Sequence, residues 1–153
     1  MDELNSTLGL ARLYAEGAMA GAIERVQNDL FDLGADLSRP NMAGDDAAGY
    51  PVLRVIGSQV DRLEAEIDAW NAGLAPLRSF VLPGGTKLAA HMPLARTVAR
   101  RAERLAVALA AGGDANPVAV RYLNRLSDWC FVAARIANDD GKADVLWVPG
   151  ENR

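Results

Sequence analysis

Apolar residues recur along nearly the whole chain at alternating intervals of three and four. Leu4, Leu8, Ala11 and Ala15 mark one segment, and Ile23, Val26, Leu30, Leu33 and Leu37 a second. Leu53, Ile56, Val60, Leu63, Ile67 and Trp70 mark a third; Leu94, Val98, Ala102, Leu105 and Leu109 a fourth; Leu123, Leu126, Cys130 and Ala133 a fifth. Such steps hold one face of a 3.6-residue helix apolar, whereas no run alternates with the period of two that a strand requires. Breakers separate the segments: RPNMAGDDAAGYP (39 to 51), VLPGGT (81 to 86), AAGGDANP (110 to 117) and NDDGK (138 to 142), with Gly17 and Gly21 loosening the first junction. The pattern predicts an all-α fold, a five-helix bundle forming a single domain over residues 1–153.

Composition narrows the function. A chain of 153 residues, half of it hydrophobic, can bury one substantial core. The formal charge of −4 and the pI near 5 argue against a nucleic-acid partner, which would call for a basic surface. Cys130 is the single cysteine, so no intrachain disulfide is possible. The opening MDELNS has no basic region followed by an apolar run, and no stretch approaches the ~18 apolar residues of a membrane span. A cytoplasmic protein without a membrane partner is expected.

Against this acidic background, ARTVARRAERL (95 to 105) places Arg96, Arg100, Arg101 and Arg104 within nine positions. At ~100° per residue, Arg96, Arg100, Glu103 and Arg104 share about a third of the helix circumference. They lie roughly opposite the Leu94/Val98/Leu105/Leu109 stripe, with Arg101 at the border. A solvated polar face is the plain reading. Yet arginines at i, i+4 and i+8 repel by ~0.2–0.5 kcal/mol per adjacent pair, with only Glu103 near to offset them. An always-charged planar fork suits phosphate or a carboxylate from another surface.

The segments DELNSTLGLAR (2 to 12), QNDLFDLGADLS (27 to 38), FVLPGG (80 to 85), ARTVARRAER (95 to 104) and YLNRLSD (122 to 128) resemble, in order and in spacing, the PduO-type ATP:cob(I)alamin adenosyltransferases. The likeness runs from Asp2 to Trp147. It implies a homotrimer of five-helix, ferritin-like bundles with each site between neighbouring subunits. The implied reaction is attack of reduced cobalt on the 5′ carbon of ATP, giving adenosylcobalamin and triphosphate. ATP with magnesium and cobalamin are the implied ligands. A flavin-dependent reductase and an adenosylcobalamin-dependent enzyme are the implied protein partners.

The resemblance also assigns residues. Arg100 matches an ATP-contacting arginine, and Arg104 on the same face is a second candidate for phosphate; fixed guanidiniums stabilise a departing polyphosphate as the C–O bond breaks. Arg96 matches an arginine that pairs across the subunit interface with the Asp of DELN, here Asp2. Glu103 could orient the Arg100 guanidinium or hold the metal of the nucleotide. Asn124 matches a nucleotide contact. Asp128 shares its face and is assigned to the cobalamin side, or to neutralising Arg125 or a site arginine. Phe80, which spacing alone makes a core anchor, is implied to lie against the lower face of the corrin. There it would keep the dimethylbenzimidazole off the cobalt, with Gly84 and Gly85 giving a tight turn beside it.

Other residues take plainer readings. His91, the lone histidine, has no Cys, Asp or Glu at ligand spacing and is assigned no role. Cys130 reads as a buried small hydrophobe. Trp70 and Trp129 suit core or subunit contacts, and Trp147 a tail docked near the site. Pro93 stands where the family commonly has His and should kink or delay the fourth helix; Ala99 stands at a frequent Cys position. The family's TGDxGxT stretch precedes DELN and wraps the ATP phosphates, whereas here Met1 precedes Asp2 directly. The expectation is better binding of cobalamin than of ATP. A cobalamin-binding or delivery protein of the same fold, or a purely structural helical trimer, would be the alternatives to the enzyme.

Overall fold

A computed structural model describes residues 1–113 and 115–153. Five α-helices are present among them: α1 (Asp2–Arg12), α2 (Gly17–Leu37), α3 (Gly57–Asn71), α4 (Lys87–Ala111) and α5 (Pro117–Ile136). A 3₁₀ turn, Met42–Ala47, lies between α2 and α3. The five helices confirm the all-α bundle read from the apolar spacing. α4 packs against α1 and α5, α5 also packs against α2 and α3, and α1 closes on α2.

Local chemistry sets several helix starts. Thr86 caps α4, its hydroxyl accepting from Ala89 N–H at 3.1 Å. Asn116 caps α5 by accepting from Val118 N–H at 3.0 Å, and Pro117, which has no N–H to satisfy, follows at the first helical position. At α3 the Gln59 side chain accepts from the Ile56 N–H at 3.0 Å. α3 therefore begins at Gly57, later than its apolar spacing predicts, and Leu53 and Ile56 lie exposed ahead of it. α2 starts at Gly17 and runs through Gly21, so the first junction is 13–16. Pro93 sits inside a continuous α4 and does not delay its start at Lys87.

The core is built by Leu4, Leu8, Ile23, Val26, Leu30, Leu33, Leu63, Met92, Leu123, Leu126 and Trp129. Two carboxylates of α2 enter it because they share the apolar face. Asp29 accepts from the Tyr122 hydroxyl at 2.8 Å and Gln59 Nε2 at 2.9 Å and pairs with Arg62. Asp36, 1% exposed, accepts from Val55 N–H and Asn116 Nδ2, both at 2.7 Å, and pairs with Arg54 at 2.7 Å. Buried charge is tolerated only when satisfied in this way. These clusters tie the 39–56 connection and α3 to α2 and α5.

Cys130 is buried, as its place on the stripe predicts, and burial pushes its thiol up to about 12. The thiolate fraction at pH 8 is then about one part in ten thousand. Native protein is expected not to react with Ellman's reagent at pH 8 over an hour, and to release one equivalent of thionitrobenzoate once unfolded in guanidinium. Prompt reaction of the native protein would show that the α5 core opens locally.

Candidate functional site

The fourth stripe departs most from its predicted burial. Leu94, Leu105 and Leu109 are exposed by 52, 68 and 44%. Most of the residues that α4 buries are smaller and lie to one side: Ala89, Ala95, Ala99 and Ala106, beside Leu88 and Met92 near its start, with Val98 shared between the two faces. α4 thus spends its small side chains on close helix packing and leaves large apolar ones facing two open cavities.

The first cavity, about 660 Å³, lies between the 77–84 loop and the start of α4 on one side and α5 on the other. Its lining includes Phe80, Leu82, Leu94, Arg96, Asp128 and Phe131. Phe80 is 77% exposed, which overturns the core-anchor reading drawn from spacing alone. Its ring meets Trp147, with centroids 5.8 Å apart, so the tail does dock beside it. The Arg96 guanidinium lies over the Phe131 ring at 5.6 Å, while its Nε is buried with no hydrogen-bond partner among the described residues. A buried, unpaired guanidinium N–H is costly unless something outside the chain meets it.

The second cavity, about 670 Å³, is a groove between α1, α2 and the second half of α4. Met1, Asp2, Phe31, Arg101, Leu105 and Leu109 are among its lining residues. Asp2 and Arg96 therefore face different cavities of the chain. The ion pair formed within the chain here is instead Glu3 with Arg101.

The remaining candidates form a polar chain along α4 and α5. Glu103 Oε1 accepts from Asn124 Nδ2 at 2.7 Å, and Asn124 Oδ1 accepts from Arg125 Nη2 at 2.6 Å. Arg125 pairs in turn with Asp128 at 3.2 Å. Asp128 so neutralises Arg125, one of the three roles the sequence left open. Arg100 and Arg104 are exposed and make no ion pair among the described residues. Phe80, Arg96 and Asp128 thus share one cavity and Glu103 and Asn124 are bonded, whereas Asp2 lies elsewhere in the chain.

Sequence reasoning missed a buried polar cluster at the end of α5. Arg135 Nε donates to Asp144 at 2.8 Å, and Asn138, 2% exposed, reaches Asp144, Gly84 and Thr86. The NDDGK stretch was legible only as a breaker, and nothing in its spacing announces a buried amide. The Trp70 and Trp129 rings meet at a tilt of 50° with centroids 5.2 Å apart, and Trp129 Nε1 donates to Glu66 at 2.7 Å. The His91 ring meets Tyr14 at a tilt, centroids 5.2 Å apart, and its Nδ1 is 2.7 Å from the Lys87 carbonyl oxygen. Among the described residues no three His, Cys, Asp or Glu side chains gather as a metal site. No described helix is long and apolar enough to cross a membrane.

Residues 1–137 match the cobalamin adenosyltransferase family. The corrinoid adenosyltransferase of Mycobacterium tuberculosis is 48% identical over 99% of this chain and 78% of its own length. That of Bacillus subtilis is 39% identical over 90% of this chain and 70% of its own. Among solved structures, a variant PduO-type ATP:corrinoid adenosyltransferase from Lactobacillus reuteri, complexed with cobalamin and ATP, superposes with a TM-score of 0.84. It is 34% identical and covers 97% of this chain and 80% of the other. A second variant of that enzyme, complexed with ATP, superposes at 0.82 with 34% identity, over 96% and 82%. With its bundle, its motif order and its likeness to these transferases all in agreement, the chain belongs to the cobalamin adenosyltransferase family.

Proposed function

We propose that this protein transfers the 5′-deoxyadenosyl group of ATP to the cobalt of cob(I)alamin, at a site completed by a neighbouring subunit of a homotrimer. The observation that carries this reading is the first cavity. An exposed aromatic ring stands over an apolar lining, and a guanidinium with an unmet N–H lies at its wall. Apolar walls suit the face of a corrin ring. The cobalt electron pair forms the new bond to the 5′ carbon as the C–O bond breaks, and triphosphate leaves with the bonding pair.

Arg100 and Arg104 would take the phosphates, since both lie on the exposed face of α4 with no ion pair among the described residues and a planar guanidinium fork suits phosphate. Asn124 would contact the nucleotide with an amide held by Glu103. Glu103 Oε2 makes no bond among the described residues, which leaves it for a magnesium ion carried by ATP. Asp128 would border the corrin from the α5 side. Asp2, exposed and without a partner among the described residues, would meet Arg96 of the next subunit and complete its hydrogen bonding.

The test is to mix the protein with MgATP and chemically reduced cobalamin. Adenosylcobalamin and triphosphate should appear in equal amounts; cobalamin binding without turnover would select the carrier reading instead. Light scattering should give a trimer, weakened by Arg96→Glu and partly restored by adding Asp2→Arg to the same chain. A stable wild-type monomer would remove the shared site.

A further inference from the structure

Phe80 is displayed rather than packed, so something other than its own burial must hold its ring in place. The 79–82 segment lies antiparallel to 145–147: Trp147 N–H donates to Phe80 O and Leu82 N–H to Val145 O, both at 2.8 Å, and Ser79 Oγ donates to Trp147 O at 2.6 Å. Two short exposed segments joined in this way are marginal in water without support from elsewhere.

The support converges on one side chain. The Asn138 amide accepts from Thr86 N–H at 3.1 Å and donates to Gly84 O at 3.2 Å and to Asp144 Oδ1 at 3.3 Å. Asp144 is fixed from its other oxygen by Arg135, which also donates to Ala75 O at 2.9 Å. The fit around the amide is tight. A Cβ added at Gly85, where φ is +93°, would stand 2.7 Å from Asn138 Cγ, so only glycine admits the amide. Both ends of the Phe80 ladder, the 84–86 turn and the chain leading to 145–147, are therefore tied to the end of α5 by this group, beside a second tie in which Thr86 Oγ donates to Ala137 O at 3.0 Å. An amide serving only to end α5 would turn its donors to the helix carbonyls, whereas these face the loop.

We infer that Asn138 is a positioning residue for Phe80, holding the aromatic ring over the cavity by clamping the 84–86 turn to Asp144. The inference rests on the reading of Phe80 as the group beneath the corrin. Three variants test it: Asn138→Ala, Gly85→Ala, which displaces the amide without removing it, and Phe80→Ala. Hydrogen exchange of the Leu82 and Trp147 amides should rise at least tenfold in the first two, with exchange in the middle of α4 and α5 unchanged. Bound Co(II) cobalamin should turn from four- to five-coordinate in its absorption and EPR spectra, as with Phe80→Ala, while the ATP dissociation constant stays constant. The Asn138→Ala/Phe80→Ala double variant should convert Co(II) substrate no more slowly than Phe80→Ala alone.

Additive losses in the double variant would overturn the inference. So would unchanged exchange and spectra in folded Asn138→Ala when Phe80→Ala alters the spectrum. If Phe80→Ala itself leaves the cobalt spectrum unchanged, the reading of Phe80 fails, and the exchange data alone still decide whether Asn138 holds the ladder. Should Asn138→Ala not fold, Asn138→Asp is judged by the same criteria, because it keeps the acceptor for Thr86 and loses both donations.

Discussion

Replacing Phe80 by alanine is expected to leave cobalamin bound while lowering turnover from Co(II) cobalamin on the order of a hundredfold. An axial nitrogen donor stabilises Co(II) more than Co(I), so a ring that keeps the donor away makes the one-electron reduction easier. For a one-electron couple each ~59 mV is a factor of ten in the reduced fraction; a hundredfold loss corresponds to about 120 mV. With cobalamin already reduced to Co(I), which holds no lower ligand, the variant should fall within about tenfold of wild type. Stability decides against the alternative role. A buried Phe→Ala costs about 3–5 kcal/mol, but a residue 77% exposed should cost within about 0.5 kcal/mol. Urea unfolding, cobalt absorption spectra and the two rates together make the test. Unchanged spectra and an unchanged Co(II) rate would refute the role in ligand displacement.

The burial of Phe80 was the point at which spacing misled, and the reason applies more widely. Periodicity reports which face of a helix is apolar, not whether that face meets its own chain. For α2 and α5 the two coincide, and Ile23, Val26, Leu30, Leu33, Leu123 and Leu126 are all buried as the pattern predicts. For α4 they do not, and Leu94, Leu105 and Leu109 border open cavities. Charge was the other blind spot. Asp29 and Asp36, seven residues apart, sit on the apolar face of α2, where partners distant in sequence, Arg62 and Tyr122 for the first and Arg54 and Asn116 for the second, make their burial tolerable.

The family was legible through motif order more than through spacing. ARTVARRAERL reads as a strained cationic face, and the five segments in register imply a ligand for it. The pairing of Glu103 with Asn124 was within reach of neither, because it joins α4 to α5 at a crossing that only packing sets. Pro93 shows the opposite case. A proline at this place predicts a kink or a later start, yet α4 starts at Lys87 and continues through it, because a long helix packed on both α1 and α5 outweighs the loss of one hydrogen bond.

Arg100→Ala is expected to lower kcat by about 10²–10³, the usual cost of removing one donor aimed at charge that develops in a transition state. Arg100→Lys should recover only part of this, since a point charge replaces a planar fork. The fold should be indifferent to the change. Arg100 is exposed and without an ion pair among the described residues, and it stands four residues from both Arg96 and Arg104. Removing it relieves ~0.2–0.5 kcal/mol of repulsion per neighbour. The variant should therefore unfold at the same or a slightly higher urea concentration than wild type while losing nearly all turnover. That divergence separates a phosphate ligand from a solvated face, for which turnover would not move. Single-turnover measurements with Co(I) cobalamin at saturating ATP isolate the transfer step from reduction and from nucleotide binding. A rate equal to wild type under those conditions would assign the triphosphate to Arg104 or to a neighbouring subunit.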